Sequence, residues 1–461
     1  MVNSQLYVKG LLLLQAVLFF VATHGLQASR TASRNFSNLE NSTDFVVKKK
    51  GQVTSYFFMT SGSSAIQRNE DHGGCSPIEL WGRYNFRDLI ASRQIFDSTY
   101  VNPLAAPLPA RVDQDLFFRV DSEIKTAGLM FSRDCALCDC AIKNARWSVG
   151  VSLPVISAQT FLKFLINRST EVAPNGNGPG FTMSEADEVT LDGIRRQFHQ
   201  ELGLAGNTWN SVAVGDLESH IGWTYERDHW LKMRNVIIQN RLGFLVPLAG
   251  MRGNGSDRDY PSSVALNGSG HTGIFNDLFA EFELKSNWKL GVLFSGLWQS
   301  DQTRMQRISV YKEPSPFSAL SAQVTVKPGF TFKFAPSFTL ENIVEGVNAK
   351  VTYTYLKHGE DTWTHKRDII DKKSYLNQDF SAIRGVITNA KPTDIIENID
   401  TKTRLSSWMG HYLSFNIAYD SNQTLNNWKY DPVFFVSYDY PLGGLGIVNN
   451  AELRLGFKLH F

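Results

Sequence analysis

The last eleven residues of the chain, 451–461, read A-E-L-R-L-G-F-K-L-H-F. Apolar side chains occupy every second position of this stretch, and charged side chains, a glycine or a histidine occupy the positions between them. Because a β-strand points successive side chains to opposite faces, the stretch predicts a strand with one apolar and one polar face. A water-soluble chain rarely keeps such a pattern to its last residue, since chain ends fray in water. The apolar row consists of Leu453, Leu455, Phe457, Leu459 and Phe461.

This carboxy-terminal pattern resembles the closing strand of a bacterial outer-membrane β-barrel, in which a terminal Phe with apolar residues at every second position is recognised by the barrel-assembly machinery. The resemblance covers only the eleven residues quoted above. It implies a transmembrane barrel surrounded by outer-membrane lipid, and it makes the apolar row from Leu453 to Phe461 the candidate assembly signal. An amphipathic strand of a soluble β-sandwich is the alternative interpretation.

The bulk composition excludes several classes of protein. The chain has 461 residues, of which 20% are charged, and a formal net charge of +2. Because the charge is nearly balanced, no nucleic-acid partner is expected. The mean hydropathy of −0.20 argues against a helical membrane protein. A β-barrel is compatible with this value because half of each strand faces a polar lumen.

The amino terminus carries an export signal. A basic residue precedes the apolar run Gly10 to Ala22, and small residues follow it. This pattern predicts a secretory signal peptide over residues 1–28, cleaved after Gly25 or Ala28. An uncleaved anchor is the alternative, although the run is shorter than the roughly 20 residues that a membrane helix needs. Residues 29–52, rich in Ser, Asn and Lys, predict a flexible lead-in.

The remainder of the chain, residues 53–461, alternates between apolar and polar side chains, with breaks rich in Gly, Asn and Asp. The pattern predicts an all-β fold, a transmembrane antiparallel up-and-down β-barrel of about 12 strands, with a range of about 10 to 14. The clearest hairpin has a three-residue turn, Lys285-Ser286-Asn287, which pairs Leu284 with Trp288. The same turn places Phe282 opposite Leu290, so register and face agree.

The predicted connections between strands are unequal at the two ends of the barrel. If Phe461 lies at the periplasmic end, the connections on that side are all short and those on the other side are mostly long, as outer-membrane barrels require. Residues 324–338 are interpreted as one barrel strand bent at Pro328-Gly329, because two strands here would spoil this alternation. The long extracellular loops are expected to contain one helical insertion and a short second helix.

The helical insertion lies in the long connection 154–216. Ser184 is a suitable N-cap, acidic residues follow it, and apolar residues then recur at helical spacing, which predicts a helix over about 184–203. It could constrict the pore, cover it as a lid, or be an inert surface excursion. A second, short helix is predicted near residues 380–387.

Four cysteines are candidates for disulfides. Cys135, Cys138 and Cys140 lie in C-A-L-C-D-C, and Cys75 lies upstream. An exported protein meets an oxidising compartment, so disulfides are expected, and four cysteines allow three connectivities. We expect a bond from Cys75 to one member of the cluster. C-x-x-C is also a chelating spacing, but without a second pair or nearby histidines no metal site is expected.

Catalytic and cofactor-binding motifs are absent from the sequence. There is no G-x-S-x-G, H-E-x-x-H, P-loop or dinucleotide-binding glycine pattern, so we expect neither enzyme activity nor a cofactor. Six N-x-S/T matches would carry glycans in a eukaryotic secreted protein, which is an alternative to chance matches in a bacterial one. They begin at Asn35, Asn41, Asn167, Asn254, Asn267 and Asn422.

The polar rows of the strands supply the candidate pore lining, which holds seven basic and six acidic side chains. This mixture favours a hydrated lumen without marked ion selectivity. We therefore expect passive diffusion of small polar solutes across the bacterial outer membrane. The alternatives are an adhesin or receptor barrel without conductance and a barrel enzyme; the solute and the oligomeric state are left open. The lining comprises Arg119, Asp121, Glu123, Lys125, Glu281, Glu283, Lys289, Lys333, Lys350, Asp439, Glu452, Arg454 and Lys458.

Overall fold

Twelve long strands, labelled β1 to β12 in chain order, dominate the computed structural model. The structure describes residues 51–66, 74–81, 84–85, 117–139, 145–166, 169–170, 181–182, 185–201, 206–230, 232–248, 270–308, 317, 320–365, 406–421 and 431–460. The strands are β1 (Gly51–Gly62), β2 (Phe117–Asp139), β3 (Ala145–Ile166), β4 (Leu217–Asp228), β5 (Asn235–Val246), β6 (Gly273–Lys285), β7 (Trp288–Gln299), β8 (Thr331–Val344), β9 (Val347–His358), β10 (Trp408–Asp420), β11 (Asp431–Leu445) and β12 (Ala451–His460).

These strands close into a barrel. Each pairs antiparallel with its neighbours in sequence. β1 also pairs with β12, from Gln52 opposite His460 to Ser61 opposite Ala451, which joins the first strand to the last. A closed sheet has no free edge strand, so the strands of the wall hydrogen-bond to one another on both sides. The predicted all-β barrel of about 12 strands is therefore confirmed.

The two rims differ as the sequence predicts. We call the rim where β1 begins and β12 ends the terminal end, and the opposite rim the loop end. Two connections at the terminal end consist of residues 286–287 and 345–346 only, whereas residues 63–116 and 359–407 connect strands at the loop end. The asymmetry of connection lengths is confirmed.

The turn between β6 and β7 is shorter than predicted. Phe282 does lie opposite Leu290, but Lys285 rather than Leu284 is the partner of Trp288. The turn contains two residues, and a register shift between Glu283 and Lys285 supplies the extra residue as a β-bulge. The faces of both strands stay as predicted because the bulge restores the alternation.

The interpretation of residues 324–338 as one bent strand is wrong. β8 begins only at Thr331, and the segment before it, Leu320–Lys327, pairs with Gln302–Ile308 and Thr362–His365 in a separate sheet. At the break, the Gly329 amide donates to Asp361 Oδ1 at 2.9 Å, so a neighbouring loop rather than a strand satisfies it. Because the segment before the break does not cross the barrel, the alternation of connections is preserved.

Smaller elements surround the loop end. Helix α1 (Glu185–Glu201) confirms the helix predicted over about 184–203; the helix predicted near 380–387 lies outside the described residues. β2 and β3 have 23 and 22 residues and extend beyond β1, which has 12. The other elements are the strands Ala65–Ile66, Gly74–Cys75, Tyr84–Asn85, Ser169–Thr170, Phe181–Thr182, Thr208–Val214 and Ile447–Val448, and the 3-10 helix Pro77–Trp81.

The outward face of the wall is an apolar belt. On β12, Leu455 and Phe457 are 45% and 43% exposed, while Glu452 and Arg454, on the alternate positions of the same strand, are buried inside. The same alternation runs around the barrel. Exposed members of the belt include Phe57, Leu129, Phe131, Trp147, Val151, Leu242, Phe244, Leu278, Trp288, Phe294, Phe415, Ile417, Phe434, Val436 and Tyr438. Phe461 lies outside the described residues. No helix in the described part of the chain is both long and apolar enough to cross a membrane.

Candidate solute pathway in the barrel interior

The inward row of β12 shows how the interior is built. Glu452, Arg454 and Lys458 alternate with outward leucines and Phe457, and each is at most 4% exposed. Pairing carries the same face to the neighbouring strands, since residues opposite each other in an antiparallel pair share a face. The predicted lining residues that the structure places on the inward face are Glu281, Glu283, Lys289, Lys333, Lys350, Asp439, Glu452, Arg454 and Lys458.

Four predicted lining residues face the other way, so their assignment to the lumen is wrong. Arg119 and Asp121 form an exposed ion pair at 2.8 Å, and Lys125 and Glu123 form another at 2.9 Å. All four lie on the same face of β2 as Leu129, which belongs to the outer belt.

The error arises because β2 projects past the rim of the barrel. Beyond Ile124, β2 no longer pairs with β1. There its apolar residues turn inward, and Ile124 packs with Ala65, Leu80 and Val448. In this projecting part an apolar row marks a protein contact rather than lipid, so alternation by itself assigns the wrong face.

A buried ionic cluster lies on the inward face of the β11–β12 pair. Arg454 bonds both Asp439 and Glu452, and the three side chains are at most 3% exposed. Tyr56 and Tyr412 lie within electrostatic range of this cluster. A buried cation that pairs two carboxylates offsets much of the desolvation cost that each would carry alone.

A second polar contact spans three strands. Asp134 of β2 and His220 of β4 meet at 2.9 Å, although β3 lies between their strands. The residue between them is Gly150, and a Cβ there would collide with both side chains. Arg241 and Lys458 lie near enough to act electrostatically on Asp134. The absence of a side chain in β3 therefore allows this pair to form across the wall.

Further ion pairs lie toward the terminal end. Lys289 Nζ contacts Glu341 at 2.8 Å and Glu281 at 3.4 Å. Arg146 bonds Glu226 at 2.7 Å across the β3–β4 pair. Both signs of charge thus line this half of the interior, and most of the charges neutralise one another locally.

One wall of the interior is apolar, which the sequence reasoning missed. On β5 to β8, two clusters of inward side chains are buried. Phe275 and Phe279 lie in the row of β6 that otherwise carries polar side chains. Two aromatic residues in a polar row were the feature of the sequence from which the apolar wall could have been predicted. The clusters comprise Ile237, Phe279, Leu293 and Ala335, and Leu245, Phe275 and Leu297.

Helix α1 packs against the inner face of the projecting β3 strand. The Arg195 guanidinium lies 3.9 Å from the centre of the Phe164 ring and is 2% exposed. His199 stacks on Phe317 with ring centres 5.6 Å apart. Burial, followed by the charge of Arg195, lowers the pKa of His199 to about 3, so the imidazole is neutral at physiological pH.

A bond from Cys75 to one member of the cysteine cluster was predicted; the structure excludes Cys135 as that partner, and Cys140 lies outside the described residues. Cys75 lies opposite Ala65, just beyond the loop end of β1, whereas Cys135 lies opposite Gly51 at the terminal end. β1 has 12 residues, so at roughly 3.3 Å per residue the two ends are about 36 Å apart. A disulfide needs Cα atoms within about 7 Å, and both Cys75 and Cys135 carry free thiols.

No group of three or more metal-ligating side chains occurs within the described ranges. The inward side chains that the structure describes offer ion pairs, hydrogen bonds and apolar surface to a solute. The arrangement suits reversible contact with small molecules.

Comparisons with known proteins give architecture only. No family model and no curated protein matches the chain. An outer membrane channel from Pseudomonas putida F1 has a TM-score of 0.46 at 9% identity, over 92% of this chain and 100% of that chain. The transport unit of the autotransporter AIDA-I from Escherichia coli has a TM-score of 0.37 at 7% identity, over 92% and 93%. A FadL homologue from Pseudomonas aeruginosa has a TM-score of 0.31 at 10% identity, over 90% of each chain. Similarities this distant support no inference about function. Any functional inference must therefore come from the side chains of this protein.

Proposed function

We propose that this protein is a bacterial outer-membrane channel through which small polar solutes diffuse passively. The observation that supports the proposal is the division of the closed wall into an apolar outer face and an inner face that carries charged and polar side chains, apart from the apolar clusters on β5 to β8. In water the outer belt would be far larger than the apolar patches that soluble monomers expose. Lipid would cover this belt, and the interior charges would be stabilised by pairing with one another and, where exposed, by water in the lumen.

The mixed charge of the interior argues for weak ion selectivity. Lys289 stands between two glutamates, and Arg454 stands between Asp439 and Glu452. Alternating signs leave no strong single-sign field to select one kind of ion. Small solutes of either charge would therefore pass at comparable rates.

The same side chains make the pathway narrow. Although Arg454 and Glu452 point inward, they are only 2% and 0% exposed. Side chains therefore occupy the lumen at their level. We expect a conductance well below that of wide sixteen-stranded porins, whose lumens are open aqueous channels.

The proposal includes the route to the membrane. The signal peptide of residues 1–28 would export the chain, and the assembly machinery would insert it with its terminal end in the periplasm. Amino-terminal sequencing of protein from an outer-membrane fraction would test this. Recovery in the soluble fraction, or a full-length amino terminus, would contradict the proposed route.

Two adjacent positions of β9 provide a test of the pathway itself. Lys350 faces the interior, opposite the buried Asn416, whereas Val351 belongs to the outer face and is 39% exposed. In a background with the four native cysteines replaced by serine, Lys350→Cys and Val351→Cys would each be reconstituted in planar bilayers. A charged methanethiosulfonate reagent should reduce the current of Lys350→Cys by at least half. It should leave the current of Val351→Cys unchanged, because lipid covers that position.

Absence of conductance would reject the channel, provided that the protein shifts its gel mobility on heating, which shows an intact barrel. Equal inhibition of both variants would reject the assignment of faces. A non-conducting intact barrel would instead favour the receptor or adhesin alternative. In that alternative the binding surface would be at the loop end, where a separate sheet is formed by Gln302–Ile308, Leu320–Lys327 and Thr362–His365. Binding assays on the non-conducting barrel would then test it.

A further inference from the structure

Two asparagines lie in the apolar outer belt where β5 pairs with β6. Asn240 is opposite Leu278, and Asn276 is opposite Leu242. Leu242 and Leu278 belong to the belt and are 50% and 43% exposed. Because residues opposite each other in an antiparallel pair share a face, both amide side chains point away from the lumen. Asn276 is itself exposed on this face.

The two amides lie near the middle of the belt rather than at a rim. Asn240 is five residues from Asn235, where β5 begins, and six from Val246, where it ends. At roughly 3.3 Å per residue and a strand tilt of about 40°, five residues rise about 13 Å along the barrel axis. The apolar band of an outer-membrane barrel is about 25 Å tall. The pair is therefore far from the water on either side of the membrane.

The hydrogen bond between the two amides uses only part of their bonding capacity. Asn240 Nδ2 donates to Asn276 Oδ1 at 2.8 Å. Each carboxamide carries two N–H donors and an oxygen with two lone pairs, so this bond leaves the amide nitrogen of Asn276 and the amide oxygen of Asn240 unengaged by it. Lipid chains offer no hydrogen bonds, and a polar group left without them in hydrocarbon is costly. A neighbour with its own donors and acceptors suits this position better than lipid.

The surroundings of the pair favour a protein neighbour. The pairing of β5 with β6 runs without a register shift from Asn235 to Leu245, so the amides do not mark a bulge or a gap in the wall. Around them lie the exposed apolar side chains Leu242, Phe244, Ile274 and Leu278. In lipid, proteins associate through close packing and through hydrogen bonds between polar side chains. An apolar surface with a hydrogen-bonding centre can supply both.

We propose that the outward faces of β5 and β6 bind a second copy of this chain, in a contact centred on Asn240 and Asn276. The proposal rests on the membrane location given under the proposed function. An amide both donates and accepts, so the patch is complementary to itself, as a two-fold symmetric contact requires. A patch of one charge would instead need a different protein of opposite charge.

The geometry of insertion agrees with a symmetric contact. Both copies enter the membrane in the same orientation, so the two-fold axis runs along the membrane normal and only residues of equal depth meet across it. The amide pair of one copy therefore faces the amide pair of the other. The N–H groups of Asn276 in one copy can donate to the amide oxygen of Asn240 in the second copy.

The test is site-specific photo-cross-linking in an outer-membrane fraction that contains two differently tagged copies of the full chain. The photoreactive residue p-benzoylphenylalanine, which inserts into nearby C–H bonds, replaces either Leu278 or Val436. Val436 is the matched control, because it is 47% exposed on the outer face of β11, five strands away from β6. Position 278 should give several-fold more of a dimer-sized product that carries both tags than position 436.

Removal of the amides decides their role. With the photoreactive residue at position 278, Asn240→Leu combined with Asn276→Leu should lower the dimer product several-fold, since leucine suits the belt but forms no hydrogen bond. Ser55→Val also replaces an outward polar side chain, on β1, and should leave the product unchanged. An unchanged product with the double leucine variant would overturn the proposal. The comparison of positions 278 and 436 keeps both amides and decides the proposal even if that variant does not fold.

Equal dimer product at the two positions would show random collision and would overturn the contact. Cross-linking of position 278 to lipid alone or to a different protein would overturn the second copy as the occupant. A barrel that conducts in planar bilayers but gives either result keeps the proposed channel and loses only the contact. Recovery of the chain in the soluble fraction would reject the membrane location, and both proposals with it.

Discussion

Glycines of the wall decide which interior side chains meet. Gly150 leaves room for Asp134 and His220 to reach across β3, and Gly243 leaves room for the Phe275 ring to lie against β5. Interiors are packed closely enough that one added methyl group displaces its neighbours. A small residue in one strand is therefore what allows contact between its two neighbouring strands.

Gly150→Val should destabilise the barrel. A Cβ at this position collides with Asp134 and His220, and overpacking of this kind costs about 1–3 kcal/mol. The measurement is the urea midpoint of unfolding, followed by gel mobility. Gly193→Ala is the matched control: a Cβ at Gly193 meets nothing within 4 Å, and Ala in a helix interior adds about 0.5–1 kcal/mol. Equal midpoints for Gly150→Val and the unmodified protein would contradict the packing described here.

At the scale of the elements, helix α1 depends on a neutral histidine. His199 packs between Phe164 and Phe317, and the Arg195 guanidinium lies beside it at 3.2 Å. Nearby Asp192 bonds Arg195 at 2.6 Å and partly compensates its charge. A proton on His199 would place a second cation in a buried site next to Arg195. The surrounding groups do not offset the free energy that burying this second charge costs.

Docking of α1 should therefore weaken in acid. The pKa of His199 is about 3 when folded, below its ordinary value of 6.5. Since the undocked helix binds the proton more readily, stability is fully present above about pH 6.5 and falls as the pH drops toward about 3. The hydrogen-exchange protection factors of residues 185–201, which are corrected for the intrinsic pH dependence of amide exchange, should be lower at pH 4.5 than at pH 8. His199→Phe keeps the stacked ring and should remove most of this difference; an unchanged difference would assign the effect to other groups.

At the scale of the whole molecule, closure depends on the carboxy-terminal strand. β12 pairs with β11 on one side and with β1 on the other, over Gln52 to Ser61. A barrel in which β12 fails to dock keeps two open edges, and in lipid each unsatisfied backbone group costs several kcal/mol. The strand that carries the resemblance to known barrels is thus also the one that seals the sheet.

Phe461→Lys should impair assembly, because it places a charge at the end of the apolar row that the assembly machinery is expected to recognise. The amount of heat-modifiable barrel in the membrane fraction should fall several-fold. Phe461→Tyr keeps an aromatic ring and should assemble normally. Unchanged amounts of barrel with Phe461→Lys would remove the assembly role from this residue.

The alternation of the sequence was sufficient to assign the faces of the strands in the closed wall and insufficient beyond its rim. In the wall an apolar row marks the outer face, and this rule assigns the faces of β12 and β6 correctly. The projecting part of β2 has protein on its inner side, so Arg119 and Asp121 were assigned to the wrong face. The inward orientation of Phe275 and Phe279 was not predicted, for a related reason. The sequence reasoning assumed that the lumen is lined by polar side chains, and these two residues belong to an apolar part of the interior.

The sequence by itself determined that this chain forms a closed antiparallel barrel with short turns at one end and a helix at the other, because alternation and loop length are local properties. Only the tertiary structure decided which charges meet, since Arg454 finds Asp439, and Asp134 finds His220, through pairings that depend on register and closure. It also separated Cys75 from Cys135 by the length of β1. A one-residue shift at a bulge changes a face, and no local pattern predicts where the bulge between Glu283 and Lys285 lies.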